Sequence, residues 1–143
     1  MRVFLDATCW IAAAGSPTGG SACILNLARA GYFMLATTRL ILQEAERNIG
    51  AKMGRDTLLR YYRLLGSLPL ELVPDPSEEE IAYWQEVIDP KDCHVLAGAV
   101  KARADILVSL DRKHILTEKV RNHFPIPVQD TKSFLRDLMK SFE

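Results

Sequence analysis

Four carboxylates stand where an α/β chain places its chemistry. Asp6 closes the apolar run Val3–Leu5, and Glu44 lies in the first turns of the helical stretch after Tyr32–Ala36. Asp92 opens the helical stretch that leads into Ile106–Ser109, and Asp111 follows that run almost at once. In an open parallel sheet the functional crevice lies beyond the carboxyl ends of the strands, which is where these acids fall. Taken singly, most have an ordinary explanation: Asp6 and Asp111 as Asx turns, Glu44 as a surface partner of Arg47 or Asn48. Asp92 lacks one. Val95, Leu96 and Ala99 follow it at helical spacing and mark a buried face, so Asp92 turns inward, while Asp89 of Asp89-Pro90-Lys91-Asp92 takes the N-cap. Carboxylates that converge in a partly dehydrated cleft repel one another unless cations sit among them, and an all-oxygen donor set selects Mg²⁺ or Mn²⁺. The matching chemistry is phosphoryl transfer or phosphodiester hydrolysis. Thr8 and Ser109 are candidate supporting hydroxyls, able to hold a ligand or its water.

The elements that must carry these residues alternate. Candidate strands are Val3–Leu5, Tyr32–Ala36, Leu70–Val73, Ile106–Ser109 and Ile126–Gln129, most without polar alternation, as in strands covered on both faces. Candidate helices cover Ser21–Ala30, Arg39–Ala51, Thr57–Leu65, Glu78–Val87, Lys91–Arg103 and Thr131–Ser141. This order predicts a single α/β domain over residues 1–143, with a central parallel sheet flanked by helices. Gly15–Ser21 reads as a mobile loop. It lacks the Gly-Lys-Ser/Thr ending of a phosphate-binding P-loop.

Composition narrows the rest. The chain of 143 residues is 48% hydrophobic and 25% charged, with 18 basic residues against 18 acidic ones, so it can bury a core and carries no global field for a polyanion. A nucleic-acid partner then needs a local patch, for which Arg47, Lys52, Arg55, Arg60 and Arg63, and again Arg112, Lys113, Lys119 and Arg121, form two candidate tracks. A solvated helix face is the competing account of both. Cys9, Cys23 and Cys93 form no C-x-x-C, which argues against a disulfide framework or a zinc site and for a reducing cytoplasm. No apolar run approaches a membrane span, and none forms a signal-peptide core. The adjacent Cys93 and His94 point about 100° apart on a helix and cannot readily share a proton. His114 and His123 lack ligand spacing and read as solvent-facing or phosphate-contacting, and Trp10 and Trp84 as core or interface residues.

Taken together, Val3-Phe4-Leu5-Asp6-Ala7-Thr8-Cys9-Trp10-Ile11, the Glu44 helix, Asp89–Ala99 and Ala104–Asp111 resemble the PIN-domain nucleases in order and spacing, over nearly the whole chain. The Thr131–Leu135 helix is similar to that family's ending. The resemblance implies an Mg²⁺- or Mn²⁺-dependent endoribonuclease of the VapC toxin type, with Asp6, Glu44, Asp92 and Asp111 at the family's acidic positions and Thr8 at its small polar one. It also implies an RNA substrate, a homodimer and an antitoxin that inserts a segment near the acids. Two departures stand out: Arg112-Lys113-His114 follows Asp111 where many relatives have another acid, and Ser109-Leu110-Asp111 replaces a glycine-containing turn. Added positive charge beside the carboxylates would help hold an RNA phosphate, which makes Arg47, Arg112 and Lys113 candidate RNA contacts. Two rivals remain: a phosphatase or phosphoacceptor domain with Asp6 as covalent nucleophile, and a catalytically silent RNA- or protein-binding module.

Overall fold

Strand β1 (Arg2–Leu5) occupies the middle of the sheet, and the chain fills first one side of it and then the other. In the computed structural model, which describes residues 1–143, α1 (Ala7–Gly15) and α2 (Gly20–Arg29) lead to β2 (Met34–Thr38). Helices α3 (Arg39–Lys52) and α4 (Arg55–Ser67) then lead to β3 (Leu70–Val73). The chain crosses to the far side of β1 through α5 (Glu78–Ala82), a 3-10 turn (Pro90–Asp92) and α6 (Cys93–Lys101) before β4 (Ile106–Val108). Helix α7 (Glu118–His123) precedes β5 (Val128–Gln129), and α8 (Thr131–Lys140) follows it. The strand order is β3-β2-β1-β4-β5 with every pair parallel, the α/β arrangement the alternation predicts. Val3, Phe4 and Leu5 of β1 and all of β4 are buried, which is why these runs carry no polar alternation. No helix is long and apolar enough to cross a membrane.

Several boundaries differ from the sequence expectation. Helix α1 is not expected from the sequence, because Ala7, Cys9, Trp10, Ala13 and Ala14 form its buried face while Ile11, Ala12 and Gly15 leave no charged stripe on the other. The glycine-rich segment therefore shrinks to residues 16–19, since α1 runs through Gly15 and α2 starts at Gly20. Helix α7, also unexpected, has only six residues and is capped by Thr117. Strand β2 lies two residues later than expected, where Thr38 both ends the strand and caps α3 by accepting from the Ile41 amide at 3.3 Å. Helix α5 stops at Ala82 and tightens into i→i+3 turns through Val87, which set Trp84 edge-on against Phe124. Strand β5 keeps two residues because Pro127 has no amide to donate, although its carbonyl still accepts from Leu107.

Close packing of α6 fixes the wall of the site. A Cβ built on Gly98 would lie 2.9 Å from Phe4 Cζ and 3.2 Å from Thr38 Cγ2, both on fully buried side chains. Gly98→Ala gains helix propensity of up to about 1 kcal/mol but forces apart a packed core at about 1–3 kcal/mol. The expected net result is a lower denaturation midpoint with an unchanged m-value in guanidinium titration. A midpoint at or above the parent's would show that α6 has slack against the sheet.

Candidate active site

The order in which strands join the sheet reverses between β1 and β4, and Asp6 and the loop that holds Asp111 leave the carboxyl ends of those two adjacent parallel strands. A crevice at such a switch point is where open α/β sheets bind ligands. Here it is a cavity of about 300 Å³ whose walls include Asp6, Glu44, Asp92 and Asp111, together with Thr8, Asn48 and Lys91. Four acids far apart in sequence thus share one cleft, delivered by β1, α3, the 3-10 turn before α6 and the loop after β4.

Asp6 is the most deeply held. It is 3% exposed and doubles as the N-cap of α1. Its Oδ1 accepts from Thr8 Oγ1 at 2.5 Å and from the Cys9 amide at 3.4 Å, and its Oδ2 accepts from Ser109 Oγ at 2.5 Å. Each hydroxyl in turn accepts from the loop after β4: Thr8 Oγ1 from the Leu110 amide and Ser109 Oγ from the Asp111 amide, both at 3.0 Å. The two hydroxyls therefore tie the end of β1 to the loop that carries Asp111. Burial pushes the Asp6 carboxyl up to about 6, against the pull of the Ser109, Thr8 and Cys9 hydrogen bonds and with a further push from Asp111.

Asp92 points inward, as its helical spacing predicts, and is 8% exposed. Asp89 takes the capping duty by accepting from the Lys91 amide at 3.1 Å. That leaves Asp92 Oδ2 buried with no hydrogen-bond partner. Burial raises the Asp92 carboxyl above its usual range; Lys91 and His114 oppose the rise, and Asp111 and Glu44 add to it. Asp111 Oδ1 accepts from the Lys113 and His114 amides at 3.1 and 2.9 Å, and its Oδ2 faces His114 Nδ1 at 3.2 Å. Glu44 does not pair with Arg47 through its carboxylate; Oε1 faces His94 Nε2 at 3.3 Å, and Asn48 donates to its main-chain carbonyl.

The expected cations fall elsewhere. Arg112 is committed to Asp130 Oδ2 at 2.7 Å. Asp130 caps α8, and the Ser133 amide, with help from Arg112, holds its carboxyl down to about 2. Arg47 and Lys113 are exposed and stand outside the cavity wall, and Arg60 donates to the Ala14 carbonyl at the end of α1. The basic residue in the wall is Lys91, which the sequence marks only as part of a helix start. Asn48, four residues after Glu44, carried a usable signal in its helical spacing. His114 carried none, because its position in an irregular loop has no period. Its ring is nonetheless drawn into the group of Asp92 and Asp111 rather than toward solvent. Cys93 donates to the Ile88 and Asp89 carbonyls, and burial raises its thiol, so no thiolate–imidazole pair forms with His94.

The fold has counterparts in known proteins. A family model described as a PIN domain matches residues 2–113. No curated protein sequence matches the chain. Among solved structures, PAE2754 from Pyrobaculum aerophilum is similar at 17% identity and a TM-score of 0.66, with 98% of this chain and 96% of that one covered. VapBC2 from Rickettsia felis, solved with a fragment of its promoter DNA, is similar at 15% identity and a TM-score of 0.63, with 91% of this chain and 98% of that one covered. VapC20 from Mycobacterium tuberculosis, a toxin that cleaves the sarcin–ricin loop, is similar at 14% identity and 0.62, with 85% and 95% covered.

Proposed function

Because the chain belongs to the PIN-domain family, we propose that it is a divalent-metal-dependent endoribonuclease that hydrolyses RNA phosphodiester bonds, and that it acts as the toxin of a toxin–antitoxin pair. The observation that carries the reading is the buried, unpartnered Oδ2 of Asp92 in a cleft shared with three further acids. A buried anionic oxygen without a partner is costly, and a hard cation among oxygen donors relieves it. The donor set therefore fits Mg²⁺ or Mn²⁺, with Asp6, Glu44, Asp92 and Asp111 as the holding residues. When bound, such an ion polarises the phosphate and lowers the pKa of water, the chemistry phosphodiester hydrolysis requires.

The chain's own residues supply the rest. The hydroxyls of Thr8 and Ser109 fix both oxygens of Asp6, so this carboxylate enters the reaction already oriented. Lys91 stands at the wall as a point charge for a non-bridging phosphate oxygen. Toxin action and an RNA target draw support from the likeness to a VapC toxin and a VapBC complex, as does pairing with an antitoxin; a homodimer and a cytoplasmic setting belong to the same reading.

The test is cleavage of a mixed RNA pool by the purified chain in Mn²⁺ and in EDTA, beside Asp92→Asn. Metal-dependent cutting is expected, with a loss of about 100-fold or more in the variant, since even outer partners of a metal site contribute 10–100-fold. Expression of the parent should arrest growth of a host while Asp92→Asn is tolerated. RNA binding without metal-dependent turnover would instead identify a silent binding module.

A further inference from the structure

We propose that His114 is a metal ligand through Nδ1, so that the cleft offers a mixed nitrogen and oxygen set and prefers Mn²⁺ to Mg²⁺. The inference rests on the reading of the cleft as a divalent-metal site and adds a residue that the acidic pattern does not contain. Ligand atoms of Asp92, Asp111 and His114 all lie within 4.8 Å of one another. His114 Nδ1 is 3.2 Å from Asp111 Oδ2 and 3.9 Å from Asp92 Oδ2. Donors around one octahedral ion, each held at about 2.1 Å, are about 3 Å apart when adjacent and about 4.2 Å when opposite. Both separations lie within what a single shared ion requires.

Two further observations bear on it. Asp92 is 8% exposed, and its Oδ2, the oxygen nearest the ring, has no hydrogen-bond partner. A hydrogen bond from the ring satisfies Asp111 but leaves Asp92 at 3.9 Å, beyond hydrogen-bond reach, whereas one ion between them would serve both carboxylates. The ring is also well positioned: Asp111 Oδ1 accepts from the His114 amide at 2.9 Å, and the side chain is only 22% exposed. The carboxylate that would bind the ion with one oxygen thus steers the neighbouring ligand with the other. Imidazole binds first-row transition ions far better than it binds Mg²⁺, whose preferred donors are oxygens, and this sets the direction of selectivity.

The experiment uses Mn²⁺ alone as the probe on the full chain. Electron spin echo modulation of bound Mn²⁺ should show a directly bonded nitrogen. His114→Asn, which places an oxygen near the Nδ1 position and suits a loop, should abolish that coupling and lower the ratio of Mn²⁺ to Mg²⁺ affinity by about tenfold or more. His94→Gln, beside Glu44, should keep the coupling. Bound Mn²⁺ with no nitrogen coupling, or a coupling that survives His114→Asn and disappears in His94→Gln, overturns the assignment while leaving the metal-dependent nuclease intact. Absence of Mn²⁺ binding by the parent overturns both.

Discussion

Asp6→Asn should stop RNA cleavage and, in the absence of metal, make the protein more stable. Burial holds the Asp6 carboxyl at about 6 when folded, against 3.8 for an unperturbed group. Between those values the native state keeps a proton that the unfolded chain has released, so stability falls as pH rises from about 4 to about 6 and then levels off. At about 1.4 kcal/mol per unit, the loss approaches 3 kcal/mol. The asparagine carries no charge to desolvate and can still engage the Ser109 and Thr8 hydroxyls. Its stability should therefore be flat across that window, converge with the parent near pH 4, and exceed it by about 1–3 kcal/mol at pH 7.5 in EDTA, several degrees in Tm. Added Mn²⁺ should raise the parent's Tm and leave the variant's nearly still. Thermal melts at four pH values decide it. A parent more stable than Asp6→Asn at pH 7.5 in EDTA would mean that its carboxylate is already well compensated without an ion.

Ser109→Ala should be nearly as damaging without touching an acid. Its hydroxyl is fully buried, donates to Asp6 Oδ2 and accepts from the Asp111 amide. Removing it leaves a carboxylate oxygen and an amide without their partner, at about 1–3 kcal/mol of stability, and frees the loop that aims Asp111. Loss of an orienting partner of this kind typically costs 10–100-fold in metal affinity, which titration calorimetry with Mn²⁺ would read directly. Removal of the hydrogen bond also lets burial push the Asp6 carboxyl higher, so the pH at which Mn²⁺ begins to bind should rise. Parent-like affinity and an unshifted onset would relegate Ser109 to packing.

The parallel sheet was readable because its strands are nearly all apolar and because helices of clear period separate them. Helix α1 was not, since its outer face carries Ile11, Ala12 and Gly15 rather than a charged stripe. The inward turn of Asp92 followed from Val95, Leu96 and Ala99, a local pattern. Thr8 lies two residues from Asp6 and Lys91 next to Asp92, whereas the contacts of Ser109 with Asp6 and of His114 with Asp92 are relations between segments distant in sequence. Neither period nor composition encodes them. Arg112 shows the same limit: its proximity to Asp111 in sequence suggests a phosphate contact, and its ion pair with Asp130 is a relation that sequence position does not announce.

The central position of β1 bears on how the protein is born. Asp6 is made before Ser109, which holds its carboxylate and lies 103 positions later, and β1 lacks its second neighbour until β4 exists. A growing chain can pair β1 with β2 and β3, but its cleft has no far wall. At about 5–20 residues per second, roughly 5–20 s of synthesis separate the first of the four cleft acids from the last. On the reading of the chain as a toxin, that interval is a built-in delay: no partly made copy can cut RNA at the ribosome that is producing it.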